Sequence, residues 1–199
     1  MMKLLRFVLA VMLFAGSCLV ARAAYLQAKA GIASALIRRA WEQSMRTGVS
    51  RPPWPWADTH PVARIRIPRI GYDEIVLEGA SPRILAFGPA RLLSSARPGE
   101  PGNLAVAGHR TSWFRRLEEV KTGDDVDLDW FDSHNQQPRD RTYKVNAIHI
   151  VKPDDVELLE PTADDALTLI TCYPFGRSPR SPQRYVVRAV PNDLKVASR

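Results

Sequence analysis

Short apolar stretches separated by turn-forming residues dominate the chain from residue 62 onward. Such stretches lie at residues 65–67, 74–77, 105–109, 124–128, 142–151, 167–171 and 185–190. Runs of four to eight β-branched and apolar residues bounded by Gly and Pro are typical of strands. Seven or eight strands with turns between them indicate a closed barrel or a sandwich. The pattern therefore predicts a mainly β fold, with short helical segments at residues 81–87 and 113–120.

The N-terminal part has a different pattern. Lys3 and Arg6 precede an apolar run over residues 7–21, which is typical of an export signal or a membrane anchor. The run is shorter than the roughly 20 residues of a comfortable span, and Ala21-Arg22-Ala23 fits a small-x-small cleavage site. Against cleavage, residues 24–45 continue in strong helix formers, as a helix leaving a membrane does, and this favours a retained anchor.

A proline-rich stretch separates this helix from the β region. Pro52, Pro53, Pro55 and Pro61 forbid a regular helix and predict a stiff linker. We expect Trp54 and Trp56 to pack on the domain, with a partner surface as the alternative. The chain then divides into a signal-anchor or signal peptide (1–23), a helical basic spacer that is solvated or lies on lipid (24–51), the linker (52–61), the β domain (62–192) and a tail (193–199).

The net charge of +7 comes from the N-terminus alone. Residues 1–51 hold eight Lys/Arg and one acid, whereas residues 52–199 hold 20 basic and 20 acidic residues. Because the β domain is neutral, nucleic acid is excluded as its partner, and a membrane surface is the expected partner of the basic segment.

A cysteine, a histidine and an arginine each stand at an end of a predicted strand. Cys172 follows the run at residues 167–171, His109 ends the run at residues 105–109, and Arg184 opens the last strand. A thiolate can attack a carbonyl carbon, an imidazole can carry the proton, and a guanidinium can donate hydrogen bonds to the developing oxyanion. The three residue types together favour nucleophilic acyl transfer.

The same residues also have plainer interpretations. Free cysteine is among the most buried residue types, and a cysteine and a distant histidine form a candidate pair only if they are adjacent in space. The other cysteine, Cys18, lies in the apolar N-terminal run, so we expect Cys172 to be a free thiol.

Metal and cofactor chemistry find little support in the sequence. The histidines stand at residues 60, 109, 134 and 149, no two of them at a ligand spacing, and there is no Cys-x-x-Cys. We therefore expect neither a zinc site nor a cofactor. A calcium site built from acidic pairs such as Asp154-Asp155 is an alternative that the sequence does not exclude.

The motifs around these residues resemble one family. Residues 168–172, Thr-Leu-Ile-Thr-Cys, resemble the TLxTC signature of sortases, the cysteine transpeptidases of bacterial surfaces. Gly108-His109 and Arg184-Tyr185-Val186-Val187 stand in the family's order of His, Cys and Arg. Residues 53–59, 85–89 and 172–175 resemble the Gram-negative branch, which however continues with Asp-Thr after Gly-His-Arg, where Thr111-Ser112 stands here.

The resemblance implies a fold, a mechanism and partners. The fold would be the closed eight-stranded sortase barrel over residues 62–192, with Cys172, His109 and Arg184 catalytic and Thr171 helping to position the substrate. The substrate would be an LPxTG-like C-terminal sorting signal of a secreted protein, in this branch often one dedicated target, and the acceptor would be an amine. A single N-terminal helix would hold the enzyme in the inner membrane, with the domain in the periplasm.

Two other functions remain open on the sequence. A cysteine hydrolase of similar chemistry would hand its acyl group to water instead of an amine. A non-catalytic membrane-tethered binding module would have Cys172 as a core residue.

Overall fold

The chain begins with one long helix and continues as a β-barrel in the computed structural model, which describes residues 2–176 and 182–192. The helix, α1, spans Met2–Thr47 without interruption. Its residues up to Leu36 form a compact unit of their own. Among the described residues, α1 is the one helix long and apolar enough to cross a membrane, with a mean hydropathy of 1.8 in its most apolar window. The predicted tail at residues 193–199 lies outside the described residues.

Eight strands follow the linker. They are β1 (Pro61–Ile67), β2 (Tyr72–Glu78), β3 (Ala90–Arg91), β4 (Asn103–Ala107), β5 (Asp125–Asp132), β6 (Gln137–Val151), β7 (Ala166–Tyr173) and β8 (Gln183–Pro191). A one-turn helix, α2 (Pro82–Leu85), and three short 3-10 helices at Pro68–Ile70, Arg115–Glu119 and Glu157–Leu159 lie in the connections. Ser81 caps α2, since its hydroxyl accepts a hydrogen bond from the Ile84 amide.

The strands close into a single barrel in the order β1-β2-β3-β4-β7-β8-β6-β5, which confirms the predicted eight-stranded barrel. β2 pairs with β3 and β4 pairs with β7 in parallel, and the other pairs are antiparallel. Because β4 and β7 are parallel neighbours, the residues at their C-terminal ends lie side by side at one end of the barrel.

Alternating side chains fill the barrel interior. In β1 every second residue is buried, with Ala63, Ile65 and Ile67 fully so, while the arginines between them are partly exposed. Leu167 and Leu169 of β7 and Val187 of β8 belong to the same apolar core. A strand places successive side chains on opposite faces, so the residues between these positions face outward.

The last turns of α1 pack against the outside of the barrel. Ile37 and Trp41, 5% and 6% exposed, form a second apolar cluster with Ile75, Leu77 and Ile84. The spacer therefore ends as a packed part of the domain and is not solvated there. The compact unit that contains the barrel begins at Ile37.

This packing predicts where a soluble fragment has to begin. A fragment of residues 50–199 should unfold at lower urea concentration than one of residues 37–199, with a loss of about 3 kcal/mol in unfolding free energy, because it lacks two buried apolar side chains. Urea titrations of both fragments, followed by tryptophan fluorescence, test this. Equal midpoints would show that the helix end adds nothing to the barrel.

The two linker tryptophans have different surroundings. The Trp54 ring contacts Phe87 edge to face at 5.1 Å between centroids, and Trp54 borders the second apolar cluster. Trp56 is 82% exposed, so the expectation that both pack on the domain is wrong for this residue. The turn closed by the hydrogen bond from the Ala57 amide to the Trp54 carbonyl separates them.

An ion pair between the exposed Arg69 and the buried Asp124 makes the fold sensitive to acid. Hydrogen bonds from the Arg69 guanidinium, helped by one from the Lys121 amide, lower the pKa of Asp124, whose side chain is 6% exposed. A carboxyl whose pKa is lower in the folded state stabilises the fold above the ordinary pKa of about 4, and this contribution is lost as the pH falls through the folded-state value.

We therefore expect Asp124→Asn to be less stable than the wild type at pH 7, with the difference closing as the pH falls below about 4 and through the lowered folded-state pKa of Asp124, where the wild-type carboxyl becomes neutral. Thermal unfolding of both proteins across this range measures the difference. A gap that is the same at pH 7 and pH 2 would remove the ion pair from the acid response.

Candidate active site

The ends of β4 and β7 bring His109 and Cys172 to neighbouring positions. The paired register of these parallel strands runs as far as Ala107 and Ile170, and the Gly108 amide donates to the Ile170 carbonyl at 3.1 Å. Two residues beyond this last pair, the two strands carry His109 and Cys172. Neighbouring strands lie about 4.8 Å apart, so the two side chains start from adjacent backbone positions.

Arg184 lies on the other side of Cys172. In the antiparallel pair of β7 and β8, Cys172 is directly opposite Arg184. The interior is filled by Leu169 and by Thr171, which is 3% exposed, so alternation turns Cys172 and Arg184 to the outer face. Both are partly exposed, and His109 is exposed. The structure thus brings together all three residues that the sequence singled out, in the strand order β4-β7-β8.

Thr171 ties the two strands together next to this set. Its hydroxyl donates to the Gly108 carbonyl at 2.7 Å. The bond joins the residue before Cys172 to the residue before His109. With its proton used in this way, the Thr171 side chain has only oxygen lone pairs left for any other partner.

The glycine before His109 is required by a close approach. A Cβ at Gly108 would lie 2.7 Å from the ring of Phe114, a side chain with no exposed surface. Any larger residue would displace this ring, and with it the loop that leaves the histidine.

That loop, where the sequence departs from the Gram-negative pattern, folds back on the histidine. The Phe114 and Ser112 amides both donate to the His109 carbonyl, at 3.0 and 3.3 Å. The Trp113 indole nitrogen donates to the Leu85 carbonyl at 3.0 Å. Thr111 and Ser112, which stand where the Gram-negative pattern has Asp-Thr, therefore lie in a defined turn that fixes the His109 backbone.

Aromatic rings support the nucleophile strand from the core side. Tyr173, Phe175 and Tyr185 contact one another with ring centroids 5.0 to 6.2 Å apart. Burial raises the pKa of Tyr185, which keeps its phenol neutral at physiological pH. Tyr185 is opposite Thr171 in the sheet, and this residue pair is next to the pair of Cys172 and Arg184. The aromatic cluster therefore packs beside the candidate catalytic residues without adding charge.

Sequence reasoning gave no role to Arg110, which the structure places at the site. Arg110 is 9% exposed, and its Nη1 donates to the Pro174 carbonyl at 2.6 Å. Its position directly after His109 was the only available signal, because contact with Pro174 depends on the parallel pairing of β4 and β7.

A separate cleft of about 730 Å³ lies away from these residues. It is lined by Trp130 and Phe131 of β5, by His60 and His134, and by the turn at residues 97–100, which precedes β4. His109 lies two residues beyond the end of β4, so the cleft and the candidate site are at different ends of this strand. Within residues 2–176 and 182–192, no three His, Cys, Asp or Glu side chains are grouped as metal ligands.

Comparison with known proteins gives consistent matches. A family model described as the sortase domain matches residues 65–192. Sortase D of Bacillus subtilis is 31% identical over 124 residues, which cover 62% of this chain and 60% of that protein. Sortase A of Bacillus anthracis is 32% identical over 130 residues, covering 63% and 57%. The chain thus spans about three fifths of the length of these relatives.

Solved structures agree with the fold. A Clostridium perfringens Sortase D5 transpeptidase superposes with a TM-score of 0.64 at 21% identity, over 79% of this chain and 99% of that one. Sortase A from Corynebacterium diphtheriae gives a TM-score of 0.58 at 31% identity, over 68% and 62%. The family model covers more than half of the chain, and the closed eight-stranded barrel matches the solved sortase structures. The chain therefore belongs to the sortase family.

Proposed function

We propose that this protein is a cysteine transpeptidase that cleaves an LPxTG-like C-terminal sorting signal of a secreted protein and transfers it to an amine. The observation that carries the proposal is the placement of Cys172 between His109 and Arg184 on three adjacent strands of a sortase-family barrel. A nucleophile, a proton carrier and an oxyanion donor within reach of one carbonyl are sufficient for acyl transfer.

The first half-reaction forms a thioester. The Cys172 thiolate adds to the carbonyl carbon of the scissile peptide bond, and Arg184 donates hydrogen bonds to the oxygen as it becomes anionic. The carbon–nitrogen bond then breaks, and His109 protonates the departing amine. The products are an acyl-enzyme on Cys172 and a free C-terminal fragment.

The second half-reaction releases the thiolate. An incoming amine adds to the thioester carbonyl, and His109 takes the proton that this amine loses. The new amide bond forms as the carbon–sulfur bond breaks.

Thr171 is proposed to help position the substrate, a role implied by the sortase resemblance. Since its hydroxyl proton is donated to Gly108, it would contribute through its lone pairs or through the strand end that it holds.

The cellular setting belongs to the same proposal. Helix α1 would serve as a single membrane anchor, supported by its length and by the mean hydropathy of 1.8 in its most apolar window. The segments at residues 53–59, 85–89 and 172–175 support the Gram-negative branch, an inner-membrane location and a periplasmic domain. The relatives compared above come from Bacillus, Clostridium and Corynebacterium, so the branch rests on these segments alone.

Product analysis separates transfer from hydrolysis. The enzyme is incubated with an LPxTG-containing peptide at increasing concentrations of triglycine, and the products are separated by chromatography. We expect the ligated product to grow at the expense of the free acid as the amine concentration rises. A product that stays the free acid at every amine concentration would identify a hydrolase.

A further inference from the structure

Arg110 directly follows the proposed proton carrier, yet its side chain is inside the protein. It is 9% exposed, and its Nη1 donates to the Pro174 carbonyl at 2.6 Å. Pro174 is two residues beyond Cys172. A buried guanidinium from the histidine segment therefore holds the segment that leaves the nucleophile.

This bond acts where the strand pairing has ended. The register of β4 and β7 stops at Ala107 and Ile170. Beyond it, the Thr171 hydroxyl joins the two chains on one side of the catalytic pair by donating to the Gly108 carbonyl. Arg110 joins them on the other side. His109 and Cys172 thus lie between two cross-links made by side chains.

We propose that Arg110 is a positioning residue of the transfer reaction, which fixes the spacing of His109 and Cys172 by holding the Pro174 carbonyl. The inference rests on the proposed function, because a fixed spacing matters only if the two groups act on one substrate. Burying a guanidinium is unfavourable unless its donors are bonded. Displacing the Pro174 segment would remove such a bond, so the buried charge holds this segment in place.

The expected effect on rate is large for a residue that does not touch substrate. Proton transfer needs the imidazole within hydrogen-bond reach of the reacting nitrogen, and a misplacement of about 1 Å can lower a rate by about 100-fold. We expect Arg110→Met to lower kcat/KM for peptide cleavage by about 30-fold. Arg110→Lys, which keeps the charge and one donor, should recover part of this loss.

The test compares full-length wild type, Arg110→Met, Arg110→Lys and the control Arg115→Met in detergent. Arg115 is an exposed arginine at the start of the 3-10 helix that follows this loop. Three quantities are measured at a temperature where circular dichroism shows each protein folded. They are kcat/KM for an LPxTG-containing peptide, the pH profile of Cys172 alkylation by iodoacetamide, and hydrogen exchange of the backbone at residues 172–176.

If Arg110 is a positioning residue, Arg110→Met should show faster hydrogen exchange at residues 172–176 and a lower kcat/KM. Its rate of Cys172 alkylation should stay within twofold of wild type at each pH. Arg110→Lys should be intermediate, and Arg115→Met should equal wild type. A kcat/KM for Arg110→Met within threefold of wild type would overturn the proposal. A fall in the Cys172 alkylation rate that matches the fall in cleavage would also overturn it, since Arg110 would then act on the thiolate itself.

Failure of the proposed function has a different signature. If wild type cleaves no peptide, transpeptidation of such signals is wrong, and hydrogen exchange still decides whether Arg110 holds the segment. Unchanged exchange in Arg110→Met then overturns the inference by itself. If Arg110→Met does not fold, Arg110→Lys decides, and kcat/KM and exchange equal to wild type in that variant overturn the inference.

Discussion

Replacing Cys172 with alanine should abolish peptide cleavage, with a loss of about 10⁴-fold or more in turnover, because removing the nucleophile of such a catalytic set leaves only binding and oxyanion stabilisation. Without the sulfur no thioester can form. Cys172 is partly exposed on the outer face of β7, so the substitution leaves the core unchanged and the variant should stay folded. Release of the C-terminal peptide fragment, followed by chromatography, measures the effect.

The chain contains its own control for this experiment. Cys18, in helix α1, is the other free cysteine, and Cys18→Ala should cleave the peptide at the wild-type rate. His109→Ala should resemble Cys172→Ala, since the leaving amine would depart without its proton. Substantial cleavage by either active-site variant would show that the assignment of the catalytic residues is wrong.

The second large effect is expected for Arg184→Lys. Loss of one oxyanion donor typically costs about 10²- to 10³-fold in kcat, and an ammonium on a flexible stem does not reproduce the fixed donors of a guanidinium. Arg184 is opposite Cys172 in the sheet, which places its side chain beside the carbonyl that the thiolate attacks. We expect kcat to fall about 100-fold while KM changes little, because the bond is strongest in the transition state.

Arg188→Lys is the matched control for this substitution. Arg188 lies on the same strand, two outward-facing positions further along, opposite Thr168. Steady-state kinetics of the two variants separate a specific role from a general effect of charge or strand geometry. Near-normal kcat in Arg184→Lys, or equal losses in both variants, would remove Arg184 from the oxyanion role.

The regular parts of the fold could be predicted because they carry a pattern. The strands that became β1, β4, β7 and β8 each have apolar residues at the period of a strand or a continuous buried run. Two features had no such pattern. β3 has only two residues, Ala90 and Arg91. The first residues of β6 are exposed and mostly polar, and an ion pair between Arg139 and Asp132 of β5 accompanies their backbone pairing.

The three residues of the candidate site could be predicted from the sequence, but the contacts that hold them in place could not. Cys172, His109 and Arg184 each stand at a strand end within a recognisable motif. The support by Arg110 depends on which strands are neighbours, and no local sequence signal specifies that β4 lies beside β7. The two tryptophans of the linker show the same limit, since nearly identical local sequence gives Trp54 a ring partner and leaves Trp56 exposed.

Mass spectrometry of the acyl-enzyme is the most direct test of transpeptidation at Cys172. The fragment of residues 37–199 is mixed with a library of LPxTG-like peptides, its intact mass is recorded, and triglycine is then added. We expect a thioester adduct on Cys172 that disappears as the amine-ligated peptide forms. An adduct on another residue, or an adduct on Cys172 that resolves only to the free acid in the presence of the amine, would contradict transpeptidation at this site.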